Sequence, residues 1–543
     1  MIRPLRISLL PILILALACC AFTSSRTVHS TATIGVAQKA APFAGAFDVR
    51  KFGAKGDGKA LDSPAINKAI DAAAAAGGGT VLFTAGTYRS FSIRLKTNVA
   101  LYIDQGATIL AADPRDGDGK YDLPEPNAWD QYQDFGHSHW HNSLIWGENL
   151  ENISILGPGR IWGKGLVRSG SQSRTKEQND TLEKQGPDPK AGPFGYPNAR
   201  DAVEPGWGNK AISLKLSRNV IIRDISILHG GHFAILATGV DNLTIDNVKI
   251  DTNRDGIDVD ACKNVRISNC TVNSPFDDAI CPKSSYALGY ARVTENVTIT
   301  NCQVSGYDEG TLFDGTYKRD FRNANGTFSP TGRIKFGTES NGGFKNITVS
   351  NCVFDYSRGL ALEAVDGALL EDVTISNITM RDISNSPIFL RLGARNRGPK
   401  ETTKTGAMRR VIISNVVVYN ADPKYSSIIS GIPGYLIEDV QLSNIRVYAK
   451  GGGTKEQAAL EPPEREAIYP EPTMFGDLPA YGFFIRHVQG LQMRDVEVSY
   501  LSPDLRPAFW LNDVKDVEFI HVKAQGSLLP DQRFERVEGK KVF

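Results

Sequence analysis

The sequence predicts an all-β chain wound as a right-handed, single-stranded parallel β-helix with an N-terminal capping helix. Two observations carry that prediction. A short phrase, asparagine followed by alternating aliphatic and polar residues, recurs along most of the chain as NISIL at Asn152, NVIIRDI at Asn219, NLTIDNV at Asn242, NVRISNC at Asn264, NVTITNC at Asn296 and NITVSNC at Asn346. Its closest copies lie about 22 residues apart with no helical pattern between them, which suits one strand per coil of a solenoid. Looser copies begin at Asp372, Val411, Asp439, Leu491 and Asp516. A leucine-rich solenoid would need a leucine phrase that is absent.

Composition narrows the class. Of 543 residues, 41% are apolar and 22% charged, as in a folded soluble protein, and 60 acids nearly cancel 61 bases. Such a balance offers no long-range field to nucleic acid, so an anionic ligand must be met by local bases. The opening segment MIRPLRISLLPILILALACCAFTSS has the layout of an export signal, expected over 1–21, with a polar linker over 22–45 and the β-helix over 46–543. Cleavage near Ala18 or Ala21 would release a soluble periplasmic or extracellular protein. Two imperfect lipoboxes would instead anchor it through Cys19 or Cys20. No transmembrane segment is expected in the mature chain, and a monomer is expected.

The first element after the linker is a helix from Ser63 to about Ala76, with Ser63 as its cap and Pro64 in its first turn. Ile66, Ala69, Ile70 and Ala73 share its apolar face, and Gly77, Gly78 and Gly79 stop it. A terminal helix is a natural cover for the unpaired end of a solenoid. The recurrent asparagines suit one corner of every coil, where their amides stack and the backbone is left-handed. That placement outweighs glycosylation at the sequons of Asn152, Asn242, Asn296 and Asn346. Beyond the signal the cysteines number five, Cys262, Cys270, Cys281, Cys302 and Cys352, an odd count with no CxxC pair. Three of them recur at one place in the phrase, as stacked small buried residues would.

The phrase also gives a register for polar residues. Thirteen positions after Asn219, Asn242, Asn264 and Asn296 come His232, Asp255, Asp277 and Glu309, the last within Gly306-Tyr307-Asp308-Glu309-Gly310. A column of acids spaced by about 4.8 Å repels itself. Glycoside hydrolysis gives it a purpose, since one carboxyl must be protonated while others hold water. A calcium loop beginning Asp251-x-Asn253-x-Asp255 is the rival, but Cys262 stands where the bidentate acid belongs.

The residues 251–284 resemble glycoside hydrolase family 28, the polygalacturonases and rhamnogalacturonan hydrolases, and the likeness runs from about Phe47 to at least Met380. The family's Asn-x-Asp-Gly-x-Asp matches Asn253 to Asp258, and its Asp-Asp pair matches Asp277-Asp278. The resemblance implies a pectin-lyase-like solenoid and an inverting hydrolase needing no metal or other cofactor. It makes Asp277 the general acid and Asp255 with Asp278 the activators of water. The family's Gly-His-Gly is not intact. One register puts it at 306–310 and the other near Thr331-Gly332-Arg333, with an insertion between. Its Arg-Ile-Lys, which grips a substrate carboxylate, is matched by Arg333-Ile334-Lys335 one coil early. On the family's own coil the bases become Ala361 and Glu363.

Expected substrate contacts are therefore His232, Asp308, Glu309, Arg333, Lys335, Glu339, Glu363 and Trp140. The departures favour a neutral sugar beside the cut bond, as in rhamnogalacturonan. Insertions over 165–207 and 451–480 favour exo action. Alternating His137, His139 and His141 would share a strand face beside Trp140, suited to a sugar subsite. A pectate-type lyase, which would need a cation and a basic proton acceptor, and a non-catalytic carbohydrate-binding solenoid are the competing classes.

Overall fold

The alternation of the repeated phrase turns its aliphatic residues inward, and each copy pairs in parallel with its neighbours. Val220, Leu243, Val265, Val297, Ile347 and Val373 stand opposite one another coil after coil, all withdrawn from solvent. The result, in a computed structural model describing residues 45–133, 136–167, 204–322, 328–525 and 532–543, is a right-handed parallel β-helix. The expected signal, the linker up to residue 44 and most of the 165–207 insertion lie outside the described residues. No described helix is long and apolar enough to cross a membrane.

The asparagine corner forms as expected. Asn152 donates its side-chain amide to Asn98, Asn219 to Asn152, Asn242 to Asn219, Asn264 to Asn242, Asn296 to Asn264 and Asn346 to Asn296, at 2.7–3.3 Å. Each has φ between 53° and 63°, the left-handed region that asparagine tolerates better than most residues. A second ladder runs through Asn351, Asn377, Asn415 and Asn444. The cysteines at the phrase's end are free and buried. Cys270, Cys302 and Cys352 continue into Ile378 as an inward apolar column.

Helix α1 (Ser63–Ala75) covers the first coil with Ile66, Ala69, Ile70 and Ala73 fully buried. Its cap differs from expectation. Asp62 is the N-cap residue, and the Ser63 hydroxyl accepts from the Phe91 amide instead. The Asp62 carboxylate is drawn away to the amides of Lys55 and Gly56.

A second stack of strands carries the polar residues. It comprises β1 (Ile93–Arg94), β2 (Ile145–Glu148), β3 (Lys210–Lys215), β4 (Phe233–Thr238), β5 (Asp255–Asp260) and β6 (Ile280–Lys283), parallel in that order. A bridge from Ile280 to Ile334 passes the stack to β7 (Lys335–Phe336), β8 (Leu360–Ala364), β9 (Ile388–Leu392), β10 (Ser427–Ser430) and β11 (Phe483–Ser502).

The insertion over 451–480 docks on the outer face of β8–β11. Phe475, Leu478 and Ala480 pack against Ala361, Phe389, Ile428, Phe484 and Trp510. Burial of such side chains stabilises by about 1.5–3 kcal/mol each for the larger ones. Arg391 and Arg486 donate to backbone carbonyls of Pro462, Pro463, Glu464 and Arg465, pinning the same segment from below.

Candidate active site

Three carboxylates converge where β5 and β6 begin. Backbone bonds set their register: the Gly256 amide donates to the Asp278 carbonyl at 3.0 Å and Ile257 to Ala279 at 2.9 Å. Asp255 therefore faces Asp278, and Asp277 falls one residue earlier, which corrects the expected pairing of Asp255 with Asp277. The register also pairs Asp255 with Phe233, not His232. The side chains nevertheless gather, since one donor atom each from His232, Asp255 and Asp277 lies within 4.8 Å of the others. The Asp278 amide donates to Asp255 at 3.2 Å.

Their surroundings differ sharply. Asp255 and Asp278 are 4% and 1% exposed at the side chain, whereas Asp277 is 23% exposed and is the one a substrate can reach. Burial, then the charges of Asp258 and Asp277, push the Asp255 carboxyl well above the usual range. Burial works the same way on Asp278, but Lys335 and Arg333 overcome it and hold the carboxyl well down. Asp277 is also lowered against its burial, by Arg254 at 2.7 Å. Their environments thus favour the protonated form at Asp255 and the ionised form at Asp277 and Asp278.

Lys283 supports the group from behind. Its ammonium lies 3.8 Å from Asp255, 3.5 Å from Asp258 and 3.3 Å from Glu339. His137 reaches Asp258 at 3.4 Å, so His137, Asp255 and Asp258 form a second set of close donors.

A family model described as rhamnogalacturonase A/epimerase, pectate lyase-like, matches residues 46–119, and one described as a right-handed β-helix region matches residues 201–311. The chain is 26% identical over 259 residues to an exo-poly-alpha-D-galacturonosidase of Dickeya chrysanthemi, covering 43% of this chain and 41% of that protein. It thus spans less than half the length of that relative. Among solved structures it is similar to the family 28 exopolygalacturonase of Yersinia enterocolitica, at 19% identity and a TM-score of 0.59 over 87% of this chain and 78% of that one. A hyperthermoactive exopolygalacturonase from Thermotoga maritima gives 17% and 0.55 over 83% and 91%. The resemblance to glycoside hydrolase family 28 stands.

Against the family 28 pattern, the later of the two registers holds. The Gly332 amide donates to the Asp277 carbonyl and Ala279 to the Arg333 carbonyl, so Thr331-Gly332-Arg333 occupies the coil after the Asp-Asp pair. Glu309 consequently leaves the carboxylate column, a second correction. It is buried in the loop after Ser305, and Asp308 beside it accepts the amides of Asp320 and Phe321. Asp308 thus anchors the inserted loop. Asp251, the first residue of the rejected calcium pattern, likewise accepts the amides of Gly310, Leu312 and Phe313.

Arg333 and Lys335 do face the site, but as supports. Their side chains are 2% and 3% exposed and both bond Asp278, Arg333 at 2.8 Å. They cannot grip a substrate carboxylate while so enclosed, which corrects the expected contact. Lys335 stands opposite Ala361 in β8. Glu363 is fully buried, 4.0 Å from Arg333, and burial raises its carboxyl to about 8 despite Lys335 and Arg333. Glu339 is buried too, ion-paired with Lys283 and Arg397, and held well below the usual range against its burial. Both are internal, not substrate contacts.

The histidine segment is a series of turns rather than a strand, so its alternation puts no common face forward. His137 turns to Asp258, His139 to Asp130 and His141 to Glu148. Trp140 is fully buried against Phe233 and Leu236, donates to Thr238 at 3.0 Å and lies under Lys215. It has no ring face to offer a sugar.

Sequence reasoning missed Arg254, Asp258, Lys283, Arg358 and Glu471. Asp258 closes the Asn253–Asp258 motif and Lys283 follows Asp278 by five residues, so both lay within the segment that carries the family likeness. Glu471 gave no local signal. It comes from the 451–480 insertion and bonds Arg333, 138 residues away in sequence.

Proposed function

We propose that this chain is an exported glycoside hydrolase that cuts a pectic backbone, galacturonan or rhamnogalacturonan, from a chain end with inversion. The observation that carries the reading is the division among the three aspartates. Asp277 faces solvent, and two enclosed partners behind it are tuned in opposite senses. Hydrolysis needs such a division, with one carboxyl to protonate the leaving oxygen and others ionised to activate water.

In the resting site Arg254 holds Asp277 ionised, while Asp255 carries the proton. Arrival of the sugar encloses Asp277, whose carboxyl then rises and takes the proton from Asp255 through one bridging water, the two carboxylates lying within 4.8 Å. Asp277 then donates to the leaving oxygen. Asp255, now ionised, and Asp278, kept ionised by Lys335 and Arg333, draw the proton from the attacking water. The exo character is supported by the docked 451–480 insertion beside the site and by the names of the similar enzymes.

The Asp255–Asp277 approach is closer than the roughly 6.5–9.5 Å common between acid and base in inverting glycosidases. The stereochemical part therefore rests on the family 28 likeness. Proton NMR of the first product tests it: a new reducing end of opposite anomeric configuration to the bond cut supports inversion, and retention overturns it.

A further inference from the structure

Two guanidinium groups near Asp277 are already held by a carboxylate of the chain itself. Glu471 bonds Arg333 and, at 3.0 Å, Arg358. Arg358 lies one coil beyond Thr331–Arg333, its amide donating to the Thr331 carbonyl at 2.7 Å, and Gly332 in turn bonds the Asp277 carbonyl. Arg333 is thus one coil step from the exposed aspartate and Arg358 two. The side chains of Arg358 and Glu471 are 20% and 17% exposed, so their pair lies at the surface of the site.

This position of Glu471 is imposed from outside the coil. The buried guanidinium groups of Arg391 and Arg486 fix the backbone at 462–465, and Phe475 anchors the other end on the sheet. Between the anchors the segment also presents Tyr469, 47% exposed. Beside Asp277, Phe276 packs edge-on against Phe321 at 4.8 Å and tilts against Phe328 at 5.1 Å, all three partly exposed. One side of Asp277 is thus aromatic, and the two partly exposed arginines near it are already paired, Arg254 with Asp277 itself and Arg358 with Glu471.

We propose that Glu471 is a specificity-determining residue: held in place by the enclosed Arg333, its carboxylate takes the place on the partly exposed Arg358 that a substrate uronate would claim, and restricts the sugar accepted there to an uncharged one. A neutral deoxyhexose or a methyl-esterified uronate has the matching chemistry, because its apolar face suits the aromatic rings. A free uronate would set its charge against Glu471, and Arg254, Arg333 and Arg358 are each already paired with a carboxylate. The proposal rests on the hydrolase reading for its placement of substrate, and it deepens that reading.

The test is binding of galacturonate oligomers, free and fully methyl-esterified, to the Asp255→Asn protein, which needs no turnover and leaves the Arg254–Asp277 pair in place. The expected result is tighter binding of the ester. Adding Glu471→Gln should shift the preference toward the free acid by about tenfold or more, and adding Arg358→Gln as well should cancel the gain. A folded Glu471→Gln protein with an unchanged ratio overturns the proposal. If that variant does not fold, the parent protein still decides, since tighter binding of the free acid overturns it equally. Failure of the wild type to release reducing ends would count against the hydrolase reading and leave the binding ratio to judge Glu471.

Discussion

Lys335 and Asp278 form an ion pair whose side chains are only 3% and 1% exposed. Such a pair is costly to bury and more costly to break, about 3–5 kcal/mol when one partner is lost. Here it has a chemical consequence, since it keeps a carboxylate ionised in a place where burial alone would protonate it. In Lys335→Met, Asp278 retains only Arg333, so its carboxyl rises. The acid limb of the kcat/KM–pH profile should move up by about one unit or more, with a lower melting temperature. A limb that stays put would mean that Asp278 need not be ionised for turnover.

Arg254 and Asp277 provide the complementary experiment. Their 2.7 Å pair lowers the Asp277 carboxyl. Arg254→Gln should raise it and carry the alkaline limb of kcat/KM upward, because the acid keeps its proton to higher pH. An alkaline limb indifferent to Arg254 would assign the donated proton to Asp255.

Glu363 makes a prediction about stability. Neither carboxylate oxygen has a hydrogen-bond partner among the described residues, and burial raises the carboxyl from 4.5 to about 8. A folded value above the unfolded one contributes stability that is complete below the unfolded pKa and lost as pH rises through the folded one. The melting temperature should therefore fall between about pH 5 and 9, with a free-energy change on the order of a few kcal/mol. Glu363→Gln should flatten that fall, and a profile of unchanged slope would show that another group causes it.

The asparagine ladder should also be measurable. Asn264 donates to Asn242 at 3.3 Å, accepts from Asn296 at 3.0 Å and has φ of 57°. Asn264→Ala loses both bonds and places a less tolerant residue in the left-handed region, at a cost of about 2 kcal/mol. Asn264→Gly should cost less, because glycine relieves the backbone term. Equal melting temperatures for the two would show that the backbone contributes nothing.

The coils were legible because their cause is local and repeated. One asparagine per corner and one aliphatic alternation per strand recur often enough for pairing and ladders to be counted forward from Asn219. The Asn253–Asp258 and Asp277-Asp278 motifs were legible for the same reason. Counting failed where coils change length. The step from Asp255 to Asp278 is one residue longer than the strand phrase suggests, and the loop carrying Asp308 and Glu309 displaced the next coil to Thr331. Trp140 was misjudged because alternating histidines imitate a strand while the chain turns. Glu471 had no signal at all, because its place is decided by how a distant insertion docks on Phe484 and Trp510.

The most direct test of the central claim is reducing-end release from galacturonan and rhamnogalacturonan by the wild type and by Asp277→Asn. The account predicts steady release of small products by the wild type from at least one polymer. It predicts a loss of roughly a hundredfold to ten-thousandfold in the variant, with its fold intact. Equal release by both proteins, or products carrying an unsaturated non-reducing end, would contradict it.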